Sequence, residues 1–460
     1  MKKILLLLSL MATSAAYSEI KIIEPAAGAV VPLLTDAQKA YVSMDRQTRR
    51  EKFADAKYRS KEMGLPAETV PGAKKPREAY WPKTVRLAWE AKDGVEYRIA
   101  VRDMAKGTVV IDERARCGEL FIDNLEIAAS YEWTVEGDGD SGKGTFKTED
   151  RTPRLIRYPG VPNVRDFGGY IGLGGCRAKQ GMIIRSAGLN DNARDTYYTI
   201  DELKEMGKLE EVKAAADAAQ KRLDQLLAWQ ADPKTFDRGD SEYKEWCTRH
   251  IGEPVTKFLS SRVHKAKSSV KKGGEPKVKK GKEPGKSRVD GENGAYIRAR
   301  FGIRSDIDLR SGGECYGMTG SPLGDGVTWF HYSSSAYGGM QGQSGKAAFA
   351  KVFRVFLDEK NYPIDFHCIA GQDRTGAVSF ILGVLLGYDE DTLCLDWELT
   401  GFWNRNAKFN HREMFDKLVK GFRDGYPADT IQESVVKYVR DLGFTDADIA
   451  KFRSIMLAER

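Results

Sequence analysis

Residues 364–387 constrain the fold more than any other stretch of this chain. An apolar strand (IDFHC) ends at His367–Cys368, and an apolar helix (TGAVSFILGVLLG) begins directly after Arg374. A loop between a strand's C-terminal end and a helix N-terminus aims several backbone N–H groups into one concavity. The helix dipole adds positive potential there, so the loop suits a tetrahedral anion. Ile369, Ala370, Gly371 and Gln372 are the residues whose amides would line it. The same field stabilises a thiolate at Cys368 and makes it nucleophilic. Arg374, six positions later, can grip two oxygens through a planar fork that lysine lacks. Gly371 has no Cβ and lets the backbone turn sharply against the anion.

The flanking sequence divides by period. Residues 19–34 read as a strand and turn, and a polar helical stretch follows near Asp36 to Lys57. From Thr84 the apolar residues alternate in VRLAWEA, EYRIAVRD, TVVIDE, LFIDNL, YEWTVEG and GTFKTED, with Gly, Asp and Asn turns between them. That pattern predicts a small all-β sandwich over 19–150, with Trp89, Tyr97 and Trp133 in its core. From Arg151 the pattern becomes α/β, with strands expected at 181–186, 303–309, 327–332 and 364–368. Ala348, Phe349, Val352, Phe353, Phe356 and Leu357 mark an amphipathic helix, and Ile431 to Leu442 another. The fold class is thus an α/β domain over 151–460 preceded by the sandwich. An insertion at about 193–295 interrupts it and includes a Lys/Gly-rich segment, 262–290.

The N-terminus, MKKILLLLSLMATSAAYS, has two lysines, a short apolar run and small residues at Ala16 and Ser18. It predicts a signal peptide over 1–18, an exported (periplasmic or secreted) protein, and no transmembrane segment after its removal. The formal net charge is +7. Arg262 to Arg288 alone carries eleven Lys/Arg against Glu275 and Glu283, so one segment holds the whole excess. We read it as a solvated loop, with contact to an anionic surface as the sharper reading; nucleic acid is not expected for an exported chain. The six cysteines form no C-x-x-C pair and the five histidines are scattered, so no zinc pattern, metal or cofactor is expected.

Residues 367–376, HCIAGQDRTG, match the H-C-x5-R-[ST]-G signature of cysteine-dependent protein tyrosine phosphatases. They look closest to a bacterial branch that reads HCxAGKDRTG and includes enzymes acting on phosphotyrosine, phosphoserine/threonine and phosphoinositides. Three collinear segments agree: NVRDFGGY (163–170) resembles N-F-R-D-L-G-G-Y, GMIIRSAGL (181–189) resembles a strand ending in R-S-G-x-L, and GIRSDIDLRS (302–311) resembles G-I-x-x-V-I-D-L-R-S. The sandwich resembles a fibronectin type III module in Tyr131, Trp133 and GTFKT.

The resemblance implies a cysteinyl-phosphate mechanism: Cys368 as nucleophile, Arg374 and the loop amides on the phosphoryl oxygens, and Thr375 stabilising the departing thiolate. His367 would orient the loop. Asp373 is the first candidate for general acid and Asp325 the alternative. Arg165 and Asp166 either contact substrate or form a structural ion pair, while Arg185, Asp308 and Arg310 read as structural. Gln372 stands where the branch commonly has Lys, which weakens the case for a polyanionic substrate. The expected substrate is a phosphorylated protein or small phosphoester, phosphotyrosine first and phosphoinositide or inositol phosphate second. The reading from another class is an inactive phosphatase-fold binding protein. Cys176, Cys315 or Cys394 could serve Cys368 as a reversible redox partner.

Overall fold

The computed structural model describes residues 19–55, 58, 81–250, 252–269, 278–289, 291–402 and 410–459. The expected signal segment therefore lies outside the described residues. The chain forms two compact units, 193–285 and the remainder.

Strands β1 (Ile22–Glu24) and β2 (Ala29–Val31) open the chain, followed by helices α1 (Asp36–Val42) and α2 (Arg46–Ala54). The polar stretch makes two helices because Asp45 caps a fresh N-terminus, its carboxylate accepting from the amides of Gln47 and Thr48. These helices do not join the sandwich. Tyr41 and Tyr58 pack on Leu395, Leu399 and Phe402, and Arg49 donates to Glu398 and Asp391.

The sandwich is built from β3 (Val85–Trp89), β4 (Tyr97–Asp103), β5 (Val109–Ala115), β6 (Glu119–Ile122), β7 (Ser130–Gly137) and β8 (Asp140–Thr148). Its two sheets run β1–β3–β6 and β2–β8–β7–β4–β5. In β4, Tyr97, Ile99 and Val101 point inward while Arg98 and Arg102 face solvent, the alternation a half-buried strand requires. Trp89 and Trp133 meet in the core at 6.3 Å between centroids, with Tyr97 edge-on to Trp89 at 5.6 Å. Arg154 ties this module to the next domain: its guanidinium donates to the carbonyls of Leu125 and Asn124 and to Asp166.

The α/β domain begins with β9 (Arg165–Asp166) and β10 (Ile183–Ser186). The insertion follows, with β11 (Arg194–Tyr197), α3 (Ile200–Glu205), α4 (Leu209–Ala231), α5 (Ser241–Arg249), α6 (Val255–Ser269) and β12 (Lys279–Glu283). It has its own small core of Leu226, Trp229, Phe236, Phe258, Leu259 and Val263. Two expectations change here. The Lys/Gly-rich segment is not simply a loop: its start continues α6, whose Arg262 pairs with Glu242 and Glu245, and Lys279–Glu283 pairs with β11. Residues 270–277 lie outside the described residues. The insertion also ends at Gly285 rather than near 295, because Val289 and Ile297 are buried in the main unit.

The chain then runs through α7 (Gly291–Phe301), β13 (Ser305–Asp308), β14 (Thr328–His331), α8 (Gln343–Phe356), β15 (Ile364–His367) and α9 (Asp373–Leu386). It closes with α10 (Glu390–Glu398), α11 (Asn410–Gly425), α12 (Ile431–Asp441) and α13 (Asp446–Met456). The sheet order is β14–β13–β15–β10–β9, parallel except for β9. Ile183, Ile307, Ile364 and Phe366 face one large core shared with α8, α9, α12 and α13, and α9 is buried over nearly its whole length. On the opposite face Ile184 packs with Tyr158, Val161 and Ile297. Parallel strands buried on both faces place the loop after β15 at the sheet's carboxyl edge, where ligands of open α/β sheets bind.

Candidate active site

The loop from Cys368 to Gln372 is shaped by what holds its carbonyl groups. Ile369 O accepts from the Gly188 amide at 3.1 Å, and Ala370 O from Asn163 Nδ2 at 2.9 Å. Gly371 O accepts from Arg185 Nη2 at 2.8 Å and from Asn163 Nδ2 at 3.1 Å. The carbonyls of three consecutive loop residues are thus pinned to the surrounding scaffold, the setting in which backbone amides can form an anion-binding nest. Gly371 has φ +64°, and a Cβ there would stand 2.3 Å from Ser186 O, so only glycine fits. Asn163, at φ +59°, sits in the left-handed region that its short amide side chain tolerates.

Asp396 braces this scaffold. It accepts Arg165 Nε at 2.7 Å and pairs with Arg185 Nη1, so one carboxylate on α10 fixes two buried guanidinium groups. Burial and the neighbouring Arg165 push Arg185 down to about 10, with Asp396 acting against them. Asp166 accepts from Arg154 and from the amides of Gly168 and Gly181. Arg165 and Asp166 thus do not pair with each other; each is consumed by the scaffold rather than offered to a ligand.

Cys368 lies at the floor of the loop, only 2% exposed. Burial works against its ionised form, yet its pKa falls below the usual thiol value: the Thr375 hydroxyl and amide, the Arg374 charge and the Gln372 amide all favour the thiolate. Thr375 Oγ1 is buried with no oxygen or nitrogen partner, which leaves it for the sulfur. Arg374, in the first turn of α9, is held by Glu314: Nη1 donates to Oε2 at 2.7 Å and Nη2 to Oε1 at 2.9 Å. Glu314 is itself anchored by the Ser311 amide and hydroxyl, and its carboxyl is lowered to about 2, first by Arg374. This guanidinium is neither turned outward nor buried in apolar surroundings. The arrangement can hold an oxyanion over an ionised sulfur.

Residues 285–458 match the model of a tyrosine phosphatase family. The match spans α7 to α13 and therefore includes the loop, its cysteine and its arginine. It supports phosphatase activity for this domain. The chain matches no curated protein.

The remaining expected residues can now be placed. Asp373 starts α9 and accepts a hydrogen bond from the Tyr337 hydroxyl, with Gln372 Nε2 at 3.4 Å. Asp325 is exposed in the turn before β14, hence at the sheet's amino edge. A four-residue strand separates it from the carboxyl edge by roughly 13 Å, so it does not reach the loop. His367 Nδ1 donates to Cys368 O at 3.2 Å, behind the loop. Asp308 and Arg310 pair with each other, the arginine reaching Asn190 as well. None of the six cysteines is in a disulfide; Cys315 Sγ donates to Asp308 and Cys394 Sγ to Glu398.

Sequence reading missed Asn163, Glu314, Tyr337 and Asp396 as site residues. Asn163 and Glu314 stood in the quoted NVRDFGGY segment and just after DLRS, but only the folded chain shows which loop atoms they touch. Behind the loop, Asp306, Asp365 and His367 bring one donor atom each within 4.8 Å of one another.

Proposed function

We propose that this chain is an exported phosphomonoester hydrolase that works through a cysteinyl-phosphate intermediate, with phosphotyrosine as its substrate class. The observation that carries the reading is Cys368 beneath a loop whose carbonyls are tied back at three consecutive residues, with its thiolate favoured by Thr375 and Arg374. In the first step the thiolate attacks phosphorus and the ester P–O bond breaks. The leaving oxygen takes a proton from Asp373, which Tyr337 positions. Arg374 and the amides of Ile369, Ala370, Gly371 and Gln372 hold the equatorial oxygens. In the second step water attacks the phosphocysteine, gives its proton to Asp373, and the thiolate departs toward Thr375.

Gln372 in place of a lysine favours a single phosphate group over a polyanionic head group. The fibronectin type III-like reading of residues 19–150 is supported by the two facing sheets and their tryptophan core. Export rests on the N-terminal sequence. Hydrolysis of p-nitrophenyl phosphate and a phosphotyrosyl peptide by the full chain, compared with Cys368→Ser, tests the proposal. Vanadate-sensitive turnover lost in the variant supports it; ligand binding without turnover by the wild type favours a binding protein, and preference for inositol phosphates moves the substrate class.

A further inference from the structure

Two carboxylates and one imidazole are buried side by side on the face of the sheet that looks toward α7. Strand register puts Asp306 beside Asp365, and Asp308 beside His367. Asp306, Asp365 and His367 are all 0% exposed. A chain that merely needed this face filled would place apolar residues there, as it does at Ile184 on the adjacent strand. The resembling segment quoted above has Val at the position of Asp306.

Each of the three side chains has one polar atom committed and the other left over. Asp365 Oδ1 accepts from Ser186 Oγ at 2.8 Å, and Asp306 Oδ2 from Ser321 Oγ at 2.7 Å. His367 Nδ1 is engaged by Cys368 O. Asp365 Oδ2, Asp306 Oδ1 and His367 Nε2 are buried without a hydrogen-bond partner. His367 Nε2 and Asp306 Oδ1 are in ion-pair range at 3.0 Å but not in a hydrogen-bonding direction, and Asp308 Oδ1 lies 3.9 Å from His367 Nδ1. Close approach without mutual aim is what two ligands of a third body show. The hydroxyl of Tyr158, also buried and unpartnered, lies in the field of Asp365 and Asp306.

The geometry points to a divalent metal site formed by Asp306, Asp365 and His367, with zinc as the ion best suited to one imidazole and two carboxylates. A metal-bound histidine usually donates its other ring N–H to a carbonyl or carboxylate, and ligating carboxylates are themselves hydrogen-bonded. Here Cys368 O, Ser186 and Ser321 fill those outer positions. Three protein ligands with bonds of about 2.0–2.2 Å are compatible with donor atoms this close, and Tyr158 or a water can complete the set. The role is structural: the site binds β13 to β15 immediately behind the cysteine loop. It is independent of the proposed reaction, none of whose steps uses a metal.

The test reads metal content and stability rather than turnover, so it stands apart from the phosphatase assay. The full chain, purified without a histidine tag and stripped with a chelator, is titrated singly with Zn²⁺, Mn²⁺ and Fe²⁺ and analysed by elemental mass spectrometry. Expected is one tightly held ion per chain and a higher unfolding temperature with it. Ser186→Ala and Ser321→Ala, which leave the ligands in place, should weaken affinity about 10- to 100-fold. Asp306→Val with Asp365→Leu should abolish binding while far-UV circular dichroism reports a folded chain. No saturable uptake of any of the three ions by the wild type, or equal uptake by the double variant, overturns the assignment.

Discussion

Glu314 receives both terminal nitrogens of Arg374, at 2.7 and 2.9 Å, on a loop sixty residues earlier in the chain. Side-on pairing of this kind fixes the plane of the guanidinium as well as its position. Both side chains are largely withdrawn from solvent, so the pair is held more firmly than a surface ion pair. Glu314→Ala should leave Arg374 charged but poorly aimed. We expect kcat/KM to fall about 10- to 100-fold, or about 1.4–2.7 kcal/mol of transition-state stabilisation, by steady-state kinetics on an aryl phosphate. An unchanged value would remove Glu314 from the site.

The same pair predicts an acid-side stability difference. Glu314 is lowered to about 2, chiefly by Arg374. A depressed carboxyl contributes stability that is full above its unfolded pKa, about 4.3, and is lost as pH falls toward 2. The wild type should therefore lose stability across that interval more steeply than Glu314→Gln. Urea unfolding at stepped pH measures the two slopes, and parallel curves would show that the pair is not formed.

Cys368 should be the reactive thiol of the chain. Its pKa is depressed, whereas burial and Asp308 push Cys315 up to about 12. Iodoacetate at neutral pH is expected to label Cys368 first, with loss of turnover tracking that label and phosphate slowing it. Cys368→Ser should lower turnover by about 10³-fold or more. Peptide mapping that finds another cysteine labelled first would contradict the ordering.

Asp373 as proton donor makes a leaving-group prediction. Asp373→Asn should slow esters of poor leaving groups, such as alkyl phosphates, by about 10²-fold or more, and p-nitrophenyl phosphate far less. Tyr337→Phe, which removes the hydroxyl bonded to Asp373, should give a smaller effect in the same direction. A uniform loss over all leaving groups would mean that Asp373 positions rather than donates.

Removing Asp396 leaves Arg165 and Arg185 buried without their shared carboxylate. Breaking a buried pair in this way typically costs about 3–5 kcal/mol. Asp396→Ala should show a loss of that order in denaturant unfolding and release Gly371 from the grip of Arg185. A loss below about 1 kcal/mol would place the charge balance elsewhere.

The chain's sequence alone carried the strand–loop–helix of 364–387, the period-two sandwich strands, and the amphipathic helices, because each depends on local alternation, 3.6-residue recurrence or a glycine-bearing turn. It also named Cys368, Arg374 and Asp373, which are near neighbours along the chain at the loop and the first turn of α9. What tertiary structure decided is how that loop is held. Asn163, Arg185 and Glu314 come from separate loops and strands, and their bonds to residues 370–374 span 60 to 208 positions, while Asp396 acts on the loop through Arg185. No local pattern records such pairings. Charge pairing likewise settled α6 and β12, where a basic segment read as loop acquires partners on α5 through Arg262 and on β11 through Lys279. The Asp306–Asp365–His367 group is the clearest case: strand register, a long-range property, turns three scattered polar residues into one buried cluster.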